Sequence, residues 1–258
     1  MTQGSKARLR VVVCAPHPDD ECLIAGGLCS LLSRPGIPVH VLAFSAGEAG
    51  GCPSVRRAEF ESACRRLSAH PQWVALWPDG AFAETASVQR RLQLAAVLDT
   101  YAAGDGPCLV VTWGPGGGYG HPDHVTLLED VVAWASAHPC VALLVRDDPA
   151  QVYAPVRRWL RRRALPRLVL RDPLPWRRVC ASVTVDVAEV VDVRREALAC
   201  HASQLPRGGV DAFLGAVLHR IGTVERFLGD AAALTLLRAA GVPFTSSPEM
   251  DPACEFST

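Results

Sequence analysis

The sequence predicts an α/β fold: a Rossmann-like, mostly parallel sheet with helices on both faces and a less regular C-terminal portion. Three observations lead there. Residues 8–15, 38–45 and 108–113 are short, β-branched and nearly continuously apolar, as strands buried on both faces must be. Each of these runs is followed by a stretch of helical periodicity, the alternation that builds a parallel sheet with crossover helices. With 258 residues, 49% of them apolar and 20% charged, the chain can bury a core of its own without disulfide or metal staples.

Taken in order, residues 8–15 form a first strand that feeds directly into a helix over 21–33. A second strand over 38–45 leads to a helix over 54–69, whose apolar face is Val55, Ala58, Phe60, Ala63, Cys64 and Leu67. Residues 73–77 read as a third strand closed by the turn Pro78-Asp79-Gly80. A long helix over 85–103 precedes a fourth strand over 108–113, a glycine-rich loop over 114–120 and a helix over 122–137. Beyond this point the pattern loosens. A strand is expected at 141–145, a short helix at 154–163, an edge or late strand at 181–187 from its Val/Thr alternation, and helices at 193–203 and 210–227. No internal repeat or linker divides the chain, so one domain is expected over 9–245. The polar or Pro-containing segments 1–8 and 246–258 are expected to be flexible termini.

Charge and cysteine usage narrow the function classes. Acids and bases cancel at 26 each, which argues against a nucleic-acid partner, since that affinity comes mainly from counterion release at basic surfaces. No apolar run approaches the ~18 residues of a membrane span, and residues 11–15 are too short for the apolar region of a signal peptide. The ten cysteines show no C-x-x-C pair, and several lie in apolar stretches. Reduced thiols acting as small core residues, in a cytoplasmic protein without membrane partners, are the expectation.

Two clusters carry chemistry. Pro16-His17-Pro18-Asp19-Asp20-Glu21 follows the first strand, at the carboxyl edge where open α/β sheets build their sites. His17 and Asp20 are three apart at a helix start and can point one way, with Asp19 on a different bearing. Gly120-His121-Pro122-Asp123-His124 follows the fourth strand and again opens a helix. The two clusters can therefore meet across one crevice. Two imidazoles and one carboxylate with an open position is the ligand set of a catalytic zinc, and equally of a non-haem iron(II). His-Pro pairs alone mean little, for His70-Pro71 and His138-Pro139 read as ordinary turns or helix ends, and Asp is a common helix cap. Three successive acids at 19–21, however, repel one another unless a cation or the helix N-terminus compensates.

These motifs together resemble the LmbE-like, PIG-L type deacetylases, zinc enzymes that remove the acetyl group from N-acetylglucosaminyl compounds. The resemblance extends to Arg56 with Glu59, to Pro78-Asp79-Gly80, to Tyr119-Gly120 and to the late run from Glu196 to Gln204, and covers roughly residues 9 to 230. The chain departs from the family pattern at Cys200, where an Ala usually stands, and at Arg194 or Arg195, where a Lys falls.

The resemblance implies that His17, Asp20 and His124 ligate zinc, that Asp19 is the general base and that His121 is the acid or electrostatic partner. Asp123 would orient His121, unless it is only a helix N-terminal acid. Arg56, Asp79 and Tyr119 would contact substrate, although an exposed Arg, a turn Asp and a loop Tyr are also ordinary surface residues. The implied reaction is zinc-dependent hydrolysis of the N-acetyl amide of an N-acetylglucosamine-type sugar or sugar-bearing biosynthetic intermediate, in antibiotic tailoring or thiol-cofactor synthesis. The partner is then a small amino-sugar substrate, free or tethered to a carrier. Two rivals stand beside it: a non-haem iron oxygenase, whose expected barrel does not match alternating strands and helices, and a non-catalytic sugar-binding module, disfavoured by the presence of both Asp19 and His121. The glycines at 114, 116, 117, 118 and 120 lack the Lys of a P-loop and the dinucleotide fingerprint, so they read as a flexible loop bordering the pocket. Nine arginines between 157 and 178 could dock an acidic carrier or a phosphorylated substrate; the sequence favours a solvated helix face.

Overall fold

The computed structural model describes residues 8–104, 106–149, 152–154, 158, 181–205 and 222–248. Within them one sheet has the strand order β3-β2-β1-β4-β5-β7-β6-β8. Its strands are β1 (Arg10–Ala15), β2 (Val39–Ala43), β3 (His70–Trp73), β4 (Cys108–Trp113), β5 (Val141–Arg146), β6 (Ala181–Asp186), β7 (Val224–Gly229) and β8 (Phe244–Pro248). The first five are parallel, and β7, β6 and β8 extend the sheet in antiparallel fashion. The helices are α1 (Asp20–Ser33), α2 (Pro53–Arg66), α3 (Ser87–Ala102), the short α4 (Gly117–Gly120), α5 (Pro122–Ser136), α6 (Val191–Ala199) and α7 (Ala231–Ala239). No helix among the described residues is long and apolar enough to cross a membrane.

β1 shows why the strand runs are continuously apolar. Val11 and Val13 pack into the core beneath α1 and α2, and Val12 and Cys14 into the opposite core beneath α3 and α5. Both faces of the strand are thereby removed from water. The cysteines described are all free, and Cys14, Cys22, Cys29, Cys64 and Cys108 are buried.

The structure differs from the sequence reading in several places. The third strand lies at 70–73, not 73–77, and takes in His70-Pro71, which had read as a turn. Pro71 pairs with Val41 and is tolerated because β3 is the sheet edge, where a missing N–H faces outward. Residues 224–227, expected at the end of a helix, form the first part of β7, and α7 and β8 follow where no element was expected. Ser246 and Ser247, assigned to a flexible tail, pair with Val183 and Ser182. Of the two readings of 181–187, an edge or a late strand, the second holds: β6 lies between β7 and β8. The expected helices at 154–163 and, up to residue 221, at 210–227 fall almost wholly outside the described residues, as do most of the two expected flexible termini and, apart from the exposed Arg158, the arginine-rich segment.

Helix α1 is broken at Ala25 (φ −154°, ψ 29°), and the break is braced. Arg194 Nε donates to the Cys22 carbonyl at 2.9 Å and Arg146 Nη1 to the Ile24 carbonyl at 3.3 Å. On the other side of the break, the Glu225 carboxylate accepts the N–H groups of Gly27 and Leu28, each at 2.9 Å. A Cβ on Gly27 would lie 2.6 Å from Val187 Cγ1, so only glycine lets the second segment approach so closely.

Candidate metal centre

β1 and β4 are parallel neighbours in the sheet, so the residues leaving their carboxyl ends emerge side by side. The 16–21 cluster leaves β1 and the 121–124 cluster follows β4 through α4. The structure thus brings together His17, Asp20, His121, Asp123 and His124, all buried.

Asp20 Oδ2, His17 Nδ1 and His124 Nε2 form a triangle with edges of 3.2, 3.3 and 3.3 Å. The far side of each imidazole fixes its tautomer. His124 Nδ1 lies 3.0 Å from the Gly117 carbonyl, which can only accept, so Nδ1 carries a proton and Nε2 presents a lone pair. His17 Nε2 lies 3.1 Å from both Asp123 Oδ2 and Asp79 Oδ1, which in the same way leaves its Nδ1 lone pair facing inward. Three lone pairs therefore converge with no donor among them. Ligand bonds of ~2.0–2.1 Å in a tetrahedral arrangement place donors ~3.3–3.4 Å apart, so the residues present fit a divalent cation. Without a cation, protons answer the same electrostatic demand. Against the effect of burial, Asp123, Asp20 and Asp79 raise the His17 pKa well above the ordinary imidazole range. Asp20, also against burial, is held well below the carboxylate range by His124 and His17. Asp20 Oδ1 accepts the Trp113 indole N–H at 3.0 Å, and that indole stacks on His124 at 5.0 Å between centroids. Gly118 (φ +61°) makes room for it, since a Cβ there would lie 3.0 Å from the Trp113 ring.

Asp123 departs from the role expected of it. Its carboxylate serves His17, and it also accepts the N–H groups of Gly80 at 2.7 Å and Phe82 at 3.1 Å. His121 is instead oriented by the Asp123 backbone N–H, which donates to its Nδ1 at 3.2 Å. The physical reason is that His121 is the cap of α5: its side chain folds back onto the first N–H groups of the helix, while Asp123 in the first turn points to the facing loop. With Nδ1 accepting, the proton of His121 resides on Nε2. Burial, then the proximity of His124 and His17, hold this imidazole well below its usual basicity, so it is neutral.

Asp19 caps α1 with φ +114°, a conformation costly for a non-glycine residue. Burial raises its carboxyl pKa, with Arg56 opposing. Arg56, expected at the substrate, is buried: its Nη2 donates to Asp19 Oδ2 at 3.0 Å and to the Pro18 carbonyl. Asp79 meets His17, and its backbone N–H donates to Glu48 Oε1 at 3.0 Å. Tyr119 sets its ring edge-on to His121 and His124, at 5.8 and 5.4 Å between centroids.

Four participants were missed by sequence reasoning: Trp113, Glu48, Glu21 as a bonded member, and His201, whose Nε2 lies 2.6 Å from Glu21 Oε1. Two of them left a signal, Glu21 as the last residue of the 16–21 cluster and His201 as part of the late run. Glu21, Cys22 and His201 bring three potential ligand atoms together, as do His17, His121 and His124. At 2.6 Å, however, the Glu21–His201 contact is a hydrogen bond rather than an edge of a coordination shell.

Comparison with known proteins gives the same direction. Residues 12–135 match the family described as "PIG-L: GlcNAc-PI de-N-acetylase". A "1D-myo-inositol 2-acetamido-2-deoxy-alpha-D-glucopyranoside deacetylase" from Corynebacterium urealyticum is 30% identical over 183 residues, which is 58% of this chain and 52% of that protein. The chain thus spans about half the length of that relative. A protein of the same name from Rhodococcus jostii is 27% identical over 264 residues, 85% of this chain and 90% of its own. Among solved structures, a deacetylase triple mutant (Orf2*T) of the teicoplanin biosynthetic pathway superimposes with a TM-score of 0.63 at 19% identity, covering 93% of this chain and 98% of that one.

Proposed function

As the chain carries a PIG-L (LmbE-like) deacetylase-family domain, we propose that it is a metal-dependent N-deacetylase. It would hydrolyse the acetamide of an N-acetylglucosamine-type sugar to acetate and a free amine. The observation that carries this reading is the convergence of the His17, Asp20 and His124 lone pairs beside a partly buried, strained aspartate.

His17, Asp20 and His124 would hold the cation, zinc or iron(II). Bound there, it would supply Lewis-acid polarisation of the amide carbonyl and a water acidified toward neutral pH. Asp19 would take the proton from the water that attacks the acyl carbon, a role suited to a carboxylate whose basicity burial has raised. Arg56 holds one Asp19 oxygen and so directs the other toward the reacting water. His121, neutral with its proton on Nε2, would donate a hydrogen bond to the charge developing on the carbonyl oxygen. When the C–N bond breaks, the proton taken by Asp19 is available to the leaving nitrogen, which departs as the amine.

A cytoplasmic setting fits the free cysteines among the described residues, and a single domain over 9–245 fits the one eight-stranded sheet. Substrate contacts by Asp79 and Tyr119 fit their places beside His17 and His124. Arg56 is better read as a support for Asp19, being only 2% exposed.

The test is direct. Purified protein reconstituted with zinc or iron(II) is incubated with N-acetylglucosaminyl-inositol, N-acetylchitobiose and a lipoglycopeptide acetamide, and acetate and primary amine are measured. Stoichiometric release from one member is expected. Protein that binds one equivalent of metal and releases no acetate from any N-acetyl sugar would overturn the proposal.

A further inference from the structure

We propose that the buried Glu21–His201 pair is a positioning device that locks the backbone of Asp19 in its left-handed conformation; this rests on Asp19 being the general base. Glu21 and His201 are both fully buried. Three donors converge on the Glu21 carboxylate. The Asp19 backbone N–H reaches Oε2 at 2.9 Å, while His201 Nε2 and the Cys22 thiol reach Oε1 at 2.6 and 3.2 Å.

An acid in the first turn that reaches back to the capping residue's N–H is a familiar helix start. Such a carboxylate normally stands in water and needs no second partner. Glu21 is held away from water, where an acid is tolerated only if paired, and its partner arrives from a segment 180 residues further along the chain. His201 lies just beyond α6, with its N–H on the Leu198 carbonyl at 3.0 Å, and α6 is tied to α1 by Arg194. The remaining polar groups of Asp19 are also engaged: its carbonyl accepts from the Cys22 N–H at 3.2 Å, and Oδ2 accepts from Arg56 at 3.0 Å. Oδ1 is thereby the oxygen left for proton transfer. A residue with φ +114° relaxes unless its surroundings over-determine it, and the Glu21–His201 pair supplies the hold on its N–H.

The experiment compares the zinc-reconstituted protein with His201→Leu, His201→Gln, Glu21→Gln and the double variant Glu21→Gln/His201→Leu. The readouts are kcat and KM for amine release from methyl N-acetylglucosaminide, bound zinc by mass spectrometry, and the Asp19 φ angle from crystal structures. His201→Leu and Glu21→Gln are expected to lower kcat by about 10- to 100-fold with KM and zinc content unchanged, the scale of a small misplacement of a reacting group. Asp19 should leave the left-handed region in both. His201→Gln, whose side-chain amide can still donate to Glu21, should restore most of kcat. The double variant should be no worse than the poorer single one, as for two members of one unit. Wild-type kcat, or an unchanged Asp19 φ, in either His201→Leu or Glu21→Gln would overturn the proposal, and so would a loss of kcat that tracks a loss of zinc. If His201→Leu does not fold, Glu21→Gln against His201→Gln decides by the same criteria. If the wild-type protein releases amine from no N-acetyl sugar, the deacetylase reading fails by itself, and the Asp19 geometry of the variants still decides the positioning claim.

Discussion

Replacing Asp123 with asparagine tests whether the centre depends on what lies behind its ligands. The native carboxylate accepts three hydrogen bonds, from His17 Nε2 at 3.1 Å, Gly80 N at 2.7 Å and Phe82 N at 3.1 Å. Asparagine offers one acceptor oxygen and one NH2 group. If the oxygen stays on Phe82, the NH2 faces two donors: the Gly80 N–H loses its acceptor and the introduced NH2 is buried against donors, at a cost of ~1–3 kcal/mol. For a chain of this size each kcal/mol is worth ~2–4 °C in Tm, so the metal-free variant should melt ~2–12 °C lower. The second effect is on the metal. Loss of the carboxylate behind a ligating histidine typically weakens affinity ~10- to 100-fold. Asp79 Oδ1 also stands 3.1 Å from His17 Nε2, which places Asp123→Asn at the lower end and Asp79→Asn/Asp123→Asn at the upper end. Competition for zinc against a chromophoric chelator measures the affinity, and thermal unfolding of the chelated protein measures the stability. Wild-type zinc affinity in the double variant would refute the account of how His17 is oriented.

Three further outcomes are expected. His17→Ala, Asp20→Ala and His124→Ala should each lose zinc along with activity, because each removes one corner of the donor triangle; full zinc occupancy in any two, by mass spectrometry, would show the ligand assignment to be wrong. Asp19→Asn should keep its zinc and fall by at least ~10² in the rate of the chemical step, and near-wild-type single-turnover hydrolysis would reduce Asp19 to a helix cap. In the metal-free protein, His17 and His201 both hold their protons above the ordinary imidazole value of 6.5. Their contribution to stability is therefore complete below about pH 6.5 and is lost as pH rises through their folded values; Tm should fall between pH 6 and pH 9, and a flat profile would contradict the pairing of these imidazoles with carboxylates.

What the sequence showed of this molecule was what is local in it. The two-sided burial of β1, β2 and β4 is written in unbroken apolar runs, and the carboxyl ends of β1 and β4 carry their clusters within a few residues. β3 was displaced because Pro71 disguises a strand that only its edge position permits. β7 was hidden because antiparallel pairing with β5 and β6 depends on chain far away, and Val224–Phe227 has no alternation strong enough to announce it. Side-chain roles were lost in the same way. Arg56 reads as a surface arginine on α2, and its burial against Asp19 depends on Gly47, where a Cβ would stand 2.7 Å from Arg56 Nε. Local sequence suggests that Asp123 serves His121, two residues before it, whereas the helix start turns it toward a histidine 106 residues away.

The brace at the break in α1 explains how one helix serves two purposes. Its first segment must aim Asp20 into the donor triangle, while its second, 26–33, must pack on the sheet. A single straight axis does not do both, and the strain of the break falls on the carbonyls of residues 22–24 and the N–H groups of Gly27 and Leu28. Arg146, Arg194 and Glu225 supply these partners from within the core, where each is almost wholly buried. Such buried charges are poor sources of stability, since apolar replacements of similar volume are often neutral or better. Their effect is directional: they bond to helix ends that exist only when α1 is broken at Ala25. Of the two arginines at one of which the resemblance expects a lysine, Arg194 is buried in this brace and Arg195 is exposed. The guanidinium of Arg194 reaches two consecutive carbonyls, Cys22 at 2.9 Å and Leu23 at 3.5 Å, and its Nε lies 3.4 Å from Glu225. A lysine supplies one point of charge where this planar fork supplies several directed donors. The arginine at 194 therefore tightens the hinge on which Asp20 is aimed and leaves the donor triangle itself untouched.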